Sequence, residues 1–291
     1  MAMVKDGERA ADAHGEGGFR HRGDVVTRRA ALAVAALAGA AAAAPGRAAA
    51  AARAARPPAD AIQDILDTAL TGERLAITFY YTALTTPAVM HDPRLGGPSA
   101  DPNHPGQPPG GNPANVKTLQ AALDAEVKHA AALVVAGGQS PFVRFYFPVG
   151  TFDALGSPAQ PNTVLGRLDI LETAFVGAYA AAARQFMLLG RPDLAPVVAR
   201  IMGVEAEHRA LGRLIVGVDP VRPLKPELTP IGTVADAARA LDPFLTGRAG
   251  EGFAGRPMGP IPLPTATQTA RVIGRYQTRI VRSFLSGGAH G

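Results

Sequence analysis

Residues 119–134 read LQAALDAEVKHAAALV, and residues 201–215 read IMGVEAEHRALGRLI. Each is a helical stretch with Glu-x-x-His set into its apolar stripe, as Glu126 with His129 and Glu205 with His208. Three residues make nearly one helical turn, so both groups of a pair project from one side. Nine glutamates and seven histidines in this chain predict about 0.2 such matches by chance, so two on separate helices are a signal.

Working outward, each pair is preceded by another helical stretch with a lone glutamate in its stripe, Glu73 in one case and Glu172 in the other. The apolar periodicity predicts four helices, over 60–85, 114–136, 162–189 and 193–217. Four ionised carboxylates in one apolar seam would cost several kcal/mol each. Two divalent cations balance them: a carboxylate can bridge two ions, and each imidazole gives one ion a nitrogen. Lone Glu, Glu-x-x-His, and the same again predict a dinuclear metal site inside a four-helix bundle. The chain has no cysteine. Oxygen and nitrogen donors without thiolate disfavour structural zinc and favour two iron or two manganese ions.

The connections carry equal information. Residues 86–113 are rich in Pro and Gly and read as an irregular insertion. Residues 138–161 also break helix, and they are numerous enough to run the length of a bundle. Only Gly190-Arg191-Pro192 separates the third helix from the fourth. A long crossover between helices 2 and 3 fits this pattern. Tyr80 follows Glu73 by seven residues and Tyr179 follows Glu172 by seven, so the chain reads as two related helix pairs.

With Glu73…Phe79-Tyr80, Glu126-x-x-His129, Glu172…Ala178-Tyr179 and Glu205-x-x-His208, the chain resembles the ferritin-like superfamily over about 60–217. It is most similar to the exported branch that includes desiccation-related proteins. The resemblance implies that Glu126 and Glu205 bridge the metals. It further implies that Glu73 with His129, and Glu172 with His208, are the terminal ligands.

Around this set, Asp169 sits one turn before Glu172 and is a candidate to hold a ligand histidine by its free N–H. A surface acid is the equal alternative. Tyr80 and Tyr179 lie two turns from their own glutamates, so core aromatics is the preferred reading and hydrogen bonding to outer ligands the alternative. Glu207 is expected in solvent, and His91 and His104 on the loop surface.

Residues 1–52 read as a signal peptide of twin-arginine type: a charged start, Thr27-Arg28-Arg29 with Leu32, the small or apolar run Ala30–Ala44, and Ala-x-Ala sites. Ala31 departs from the usual Phe or Leu. The apolar run is too short and weak for a transmembrane helix. Export to the periplasm, cell envelope or exterior is the expectation. A formal charge of +5 with scattered acids gives no reason to expect nucleic acid.

After the bundle, assigned to 57–217, residues 218–291 hold a Pro-rich segment, a short helix near Val234–Leu245 and an amphipathic helix over Thr265–Leu285. Arg271, Arg275, Arg279 and Arg282 make one face of that last helix basic. It is read as a fifth helix packed on the bundle, with docking on an anionic surface or a partner subunit of a homo-oligomer as the alternative.

The sequence thus predicts an all-α, ferritin-like four-helix bundle with a C-terminal helical extension. The expected activity is metal and oxidative stress protection through ferroxidase or peroxide chemistry, with O₂ or peroxide as the partner molecule. The rival is a non-catalytic stress- or desiccation-related binding protein on the same bundle.

Overall fold

The computed structural model describes residues 61–97, 111–220, 231–250, 253 and 255–274. The readings on residues 1–52, on His104 and on Arg275 to Leu285 lie outside them.

Four long helices carry the structure: α1 (Ile62–Thr85), then, after a short α2 (Pro87–Met90), α3 (Pro113–Val135), α4 (Val164–Leu188) and α5 (Ala195–Ile215). All four predicted helices are present, within two residues at each end. Local chemistry sets the starts. The Asn112 side chain accepts from the Ala114 and Asn115 amides, and Pro113 occupies the first turn of α3. Thr163 caps α4 by accepting from Gly166 N.

The bundle packs as two pairs, α1 with α3 and α4 with α5. Gln63, at the start of α1, donates to the Gly137 carbonyl just past the end of α3, so that pair is antiparallel. Tyr80 meets Glu172 while Tyr179 meets Glu73, so α1 and α4 are antiparallel too. It follows that α3 and α4 run in the same direction, and the chain between them must cross the full length of the bundle.

That crossover is not the plain irregular segment expected. It contains β1 (Arg144–Pro148), which pairs antiparallel with β2 (Pro257–Pro262) from the Pro-rich C-terminal part. Between these come α6 (Val234–Thr246), held at its start by a Thr233–Asp236 capping box, and after them α7 (Ala266–Ile273). Phe147 of β1 packs against Phe79 of α1 and Phe244 of α6, with ring centroids 6.0 and 6.1 Å apart. The ribbon therefore fastens the extension to the bundle through an aromatic cluster. The crossover also lies tight against the first turn of α4: a Cβ on Gly166 would stand 1.8 Å from the Gln160 carbonyl oxygen.

Two further expectations are corrected. The 86–113 insertion is not wholly irregular, because α2 buries Val89 and Met90. The C-terminal helix ends at Ile273, where Gly274 takes a positive φ of 59°. Gly, which has no Cβ, adopts that conformation without a clash, so α7 ends there. Its described part packs on α3 and α1 through Val272 and Ile273 and leaves Arg271 exposed. Among the described residues no helix is long and apolar enough to cross a membrane.

Candidate metal centre

The six sequence-selected residues come together in the middle of the bundle. Glu73, Glu126, His129 and Glu205 offer ligand atoms that all lie within 4.8 Å of one another, and so do Glu126, Glu172, Glu205 and His208. The two sets share Glu126 and Glu205, both 0% exposed. His129 Nδ1 lies 3.4 Å from Glu73, 3.3 Å from Glu126 and 3.2 Å from Glu205. His208 Nδ1 lies 3.0 Å from Glu126, 3.2 Å from Glu205 and 3.8 Å from Glu172. The imidazole rings stand 6.4 Å apart on either side of the shared carboxylates.

The arrangement follows from topology. α3 and α5 are antiparallel, since His129 faces Glu205 while His208 faces Glu126. Each Glu-x-x-His therefore presents its glutamate to the opposite histidine, and the two halves are related by an approximate two-fold axis.

The tyrosines obey the same symmetry. Tyr80 donates its hydroxyl proton to Glu172 Oε1 at 2.5 Å, and Tyr179 donates to Glu73 Oε1 in a short hydrogen bond. Both side chains are buried, as a core reading requires, but each also fixes one outer carboxylate. The sequence shows Tyr80 two turns away from Glu73. It does not show that antiparallel packing of α1 on α4 sets position seven of one helix beside position zero of the other. The duplicated seven-residue spacing was the available signal.

Asp169 takes a different part. Its carboxylate accepts from Arg213 Nε at 2.7 Å, so the group expected to orient a histidine holds a buried guanidinium. Arg213, 1% exposed, and Arg167, 0% exposed, were not singled out from the sequence. Nothing in a helical pattern marks an arginine as inward-facing when its partner lies on another helix. Burial pulls Arg167 down to about 10. Glu207 is exposed, as is His91.

Electrostatics show what such a seam demands when protons alone balance it. Burial, then the charges of Glu126 and Glu205, pushes the Glu73 carboxyl well up. Burial and the Glu205 charge do the same to Glu172. Burial would also raise Glu126, but the close imidazoles of His129 and His208 outweigh it and hold that carboxyl at about 2. Burial opposes the charged imidazoles, yet the surrounding carboxylates win, taking His129 up to about 12 and His208 to about 11. Protons therefore sit on both histidines at neutral pH.

Even so, the donors are not used up. Glu73 Oε2, Glu126 Oε1, Glu172 Oε2 and Glu205 Oε1 are buried and accept no hydrogen bond. Three of them face an imidazole nitrogen at 3.0–3.4 Å but out of line for a hydrogen bond. A buried carboxylate oxygen with no donor is costly unless a cation meets it. Four such oxygens, three of them against an imidazole nitrogen, fit two hard or borderline divalent ions.

A proton-release prediction follows. A metal ligand imidazole must be neutral, so loading the metal-free protein at pH 7 displaces at least one proton from each histidine. Titration in weakly buffered indicator is expected to show two or more protons released per chain. Because the folded-state values lie far above 6.5, the proton-linked stabilisation is complete below that pH and fades as pH rises through about 11 to 12. Metal affinity consequently rises with pH. Loading without acidification would contradict this account.

The ferritin-like domain family matches residues 61–218, and the chain belongs to that family. The matched span begins one residue before α1 and ends three residues after α5. It is an all-α, ferritin-like protein with a buried acidic and histidine cluster compatible with a metal site. No curated protein and no solved structure matches the chain.

Proposed function

We propose that this protein binds two iron or two manganese ions in the bundle and uses them in protection against metal and oxygen stress. The observation that carries the reading is the pair of overlapping four-residue donor sets sharing Glu126 and Glu205. Glu126 and Glu205 would bridge the ions. Glu73 with His129, and Glu172 with His208, would complete the two sets. Iron or manganese held by oxygen and nitrogen donors supplies one-electron redox chemistry towards O₂ or peroxide.

The chain's own residues supply the rest. Tyr80 and Tyr179 each hold one outer carboxylate by one oxygen, which leaves the other oxygen without a hydrogen bond, that of Glu73 against His129. Burial and the neighbouring carboxylates push both phenols well above their ordinary range, so they remain proton donors to those glutamates. Glu73, Glu126, Glu172 and Glu205 are each at most 2% exposed, so bulk water is kept from the seam.

The twin-arginine-type leader supports action outside the cytoplasm, as a protein exported to the periplasm, envelope or exterior. The rival reading, a non-catalytic stress- or desiccation-related structural or binding protein, is favoured by one feature: two imidazoliums, together with the raised Glu73 and Glu172 carboxyls, can balance the seam without any metal.

Elemental analysis of the purified protein is the test, beside the Glu126→Ala/Glu205→Ala variant. About two iron or manganese per wild-type chain, lost in the variant, is the expected result. Wild-type protein that takes up neither ion, even when loaded anaerobically, removes the metal reading. Metal that is bound but unresponsive to O₂ and peroxide leaves the non-catalytic rival.

A further inference from the structure

A second feature of the bundle is a cavity of about 770 Å³ between α1, α4 and α6. It opens to solvent on the side where Arg239 and Asp242 lie exposed. It falls in the range of small-molecule sites.

Small side chains on all three helices create it: Ala69 and Gly72 of α1, Ala174 and Ala178 of α4, Ala237 and Ala240 of α6. Gly72 is needed as it stands, since a Cβ there would come within 3.3 Å of the Phe175 ring that forms part of the wall. These alanines recur at helical spacing, which from sequence reads only as good helix propensity.

The lining is chiefly apolar, and of its three charged members two are engaged with each other while Asp242 is exposed. Arg239 is ion-paired with Asp236, and Asp236 accepts from Thr233 and Gly232 at the start of α6. Nothing here is arranged to hold an ion. A half-open, chiefly apolar cleft of this kind favours an apolar guest. One wall is Tyr179, whose hydroxyl holds Glu73. A guest against that ring lies a single side chain away from the candidate metal centre.

We propose that this cavity is a binding site for an uncharged small molecule with a hydrocarbon body, seated against Tyr179. The site goes beyond the metal reading and stands without it. If the centre is redox-active, the same cavity is where an apolar substrate or effector would reach its edge.

The test uses the full chain, metal-free, titrated with N-phenyl-1-naphthylamine, an uncharged apolar fluorophore. Saturable binding near one probe per chain is expected. Ala178→Phe on α4 and Ala240→Phe on α6 fill the space from opposite walls, and each is expected to weaken binding at least about tenfold. Circular dichroism confirms that each variant is folded, and Ala240→Met replaces any that is not. A wild-type chain with no saturable binding overturns the proposal. So does unchanged affinity in folded, cavity-filled variants. Since the titration contains no metal, its failure says nothing about the metal centre, and loss of the metal reading leaves it intact.

Discussion

Manganese(II) supplied at one hundred times its dissociation constant is expected to raise the melting temperature of the wild-type chain by roughly 10–20 °C. The Glu126→Ala/Glu205→Ala variant is expected not to move. Ligand linkage contributes about 2.7 kcal/mol per independent site at that excess. A domain of this size shifts by roughly 2–4 °C for each kcal/mol. Calorimetry of both proteins, with and without the ion, gives the comparison directly.

The variant is a fair control because it should fold. Both positions lie in helix interiors, where Ala has the best propensity. The double change also removes two buried carboxylates that the metal-free fold must otherwise neutralise. His129 and His208 then lose their principal partners and revert towards neutral imidazoles. A wild-type shift with an equal shift in the variant would place the binding on surface acids instead. No shift in either would separate the ferritin-like fold from any metal function.

The helices and the six central residues were legible because each obeys a local rule. Periodicity near 3.6 locates α1, α3, α4 and α5, and a three-residue spacing places Glu126 with His129 on one side of α3. What stayed hidden is long-range. β1 and β2 are more than a hundred residues apart, and β2 reads Pro-Met-Gly-Pro-Ile-Pro, whose prolines signal a loop in any local window. The bonds from Tyr80 to Glu172 and from Tyr179 to Glu73 depend on which helices are antiparallel, a fact of topology. The end of α7 at Ile273 turns on Gly274. That glycine was visible in the sequence, but the arginine-bearing amphipathic pattern beyond it suggested continuation.

Arg213→Ala is expected to lower unfolding free energy by about 3–5 kcal/mol, the cost of removing one partner from a buried ion pair. Arg213 is 1% exposed on α5, and its Nε donates to Asp169 of α4 at 2.7 Å. Its Nη1 also reaches the Pro220 carbonyl at 3.3 Å, tying down the chain just after α5. The neighbouring packing cannot close over the gap cheaply. Gly212 brings α5 so near α4 that a Cβ there would lie 2.6 Å from Leu168. The alanine variant strips Asp169 of its guanidinium and leaves a void besides. If charge dominates, replacing both partners as Arg213→Met/Asp169→Leu should restore most of the loss, because similar-sized apolar pairs often match a buried ion pair. Urea denaturation of Arg213→Met, Asp169→Leu and the double closes the cycle. Equal losses in Arg213→Met and the double variant would show that the unanswered Asp169 charge does not set the effect. A large recovery in the double would show that Arg213 is held inside the bundle to answer Asp169. The pair would then add little to net stability while fixing how α5 lies against α4, and with it where Glu205 and His208 stand.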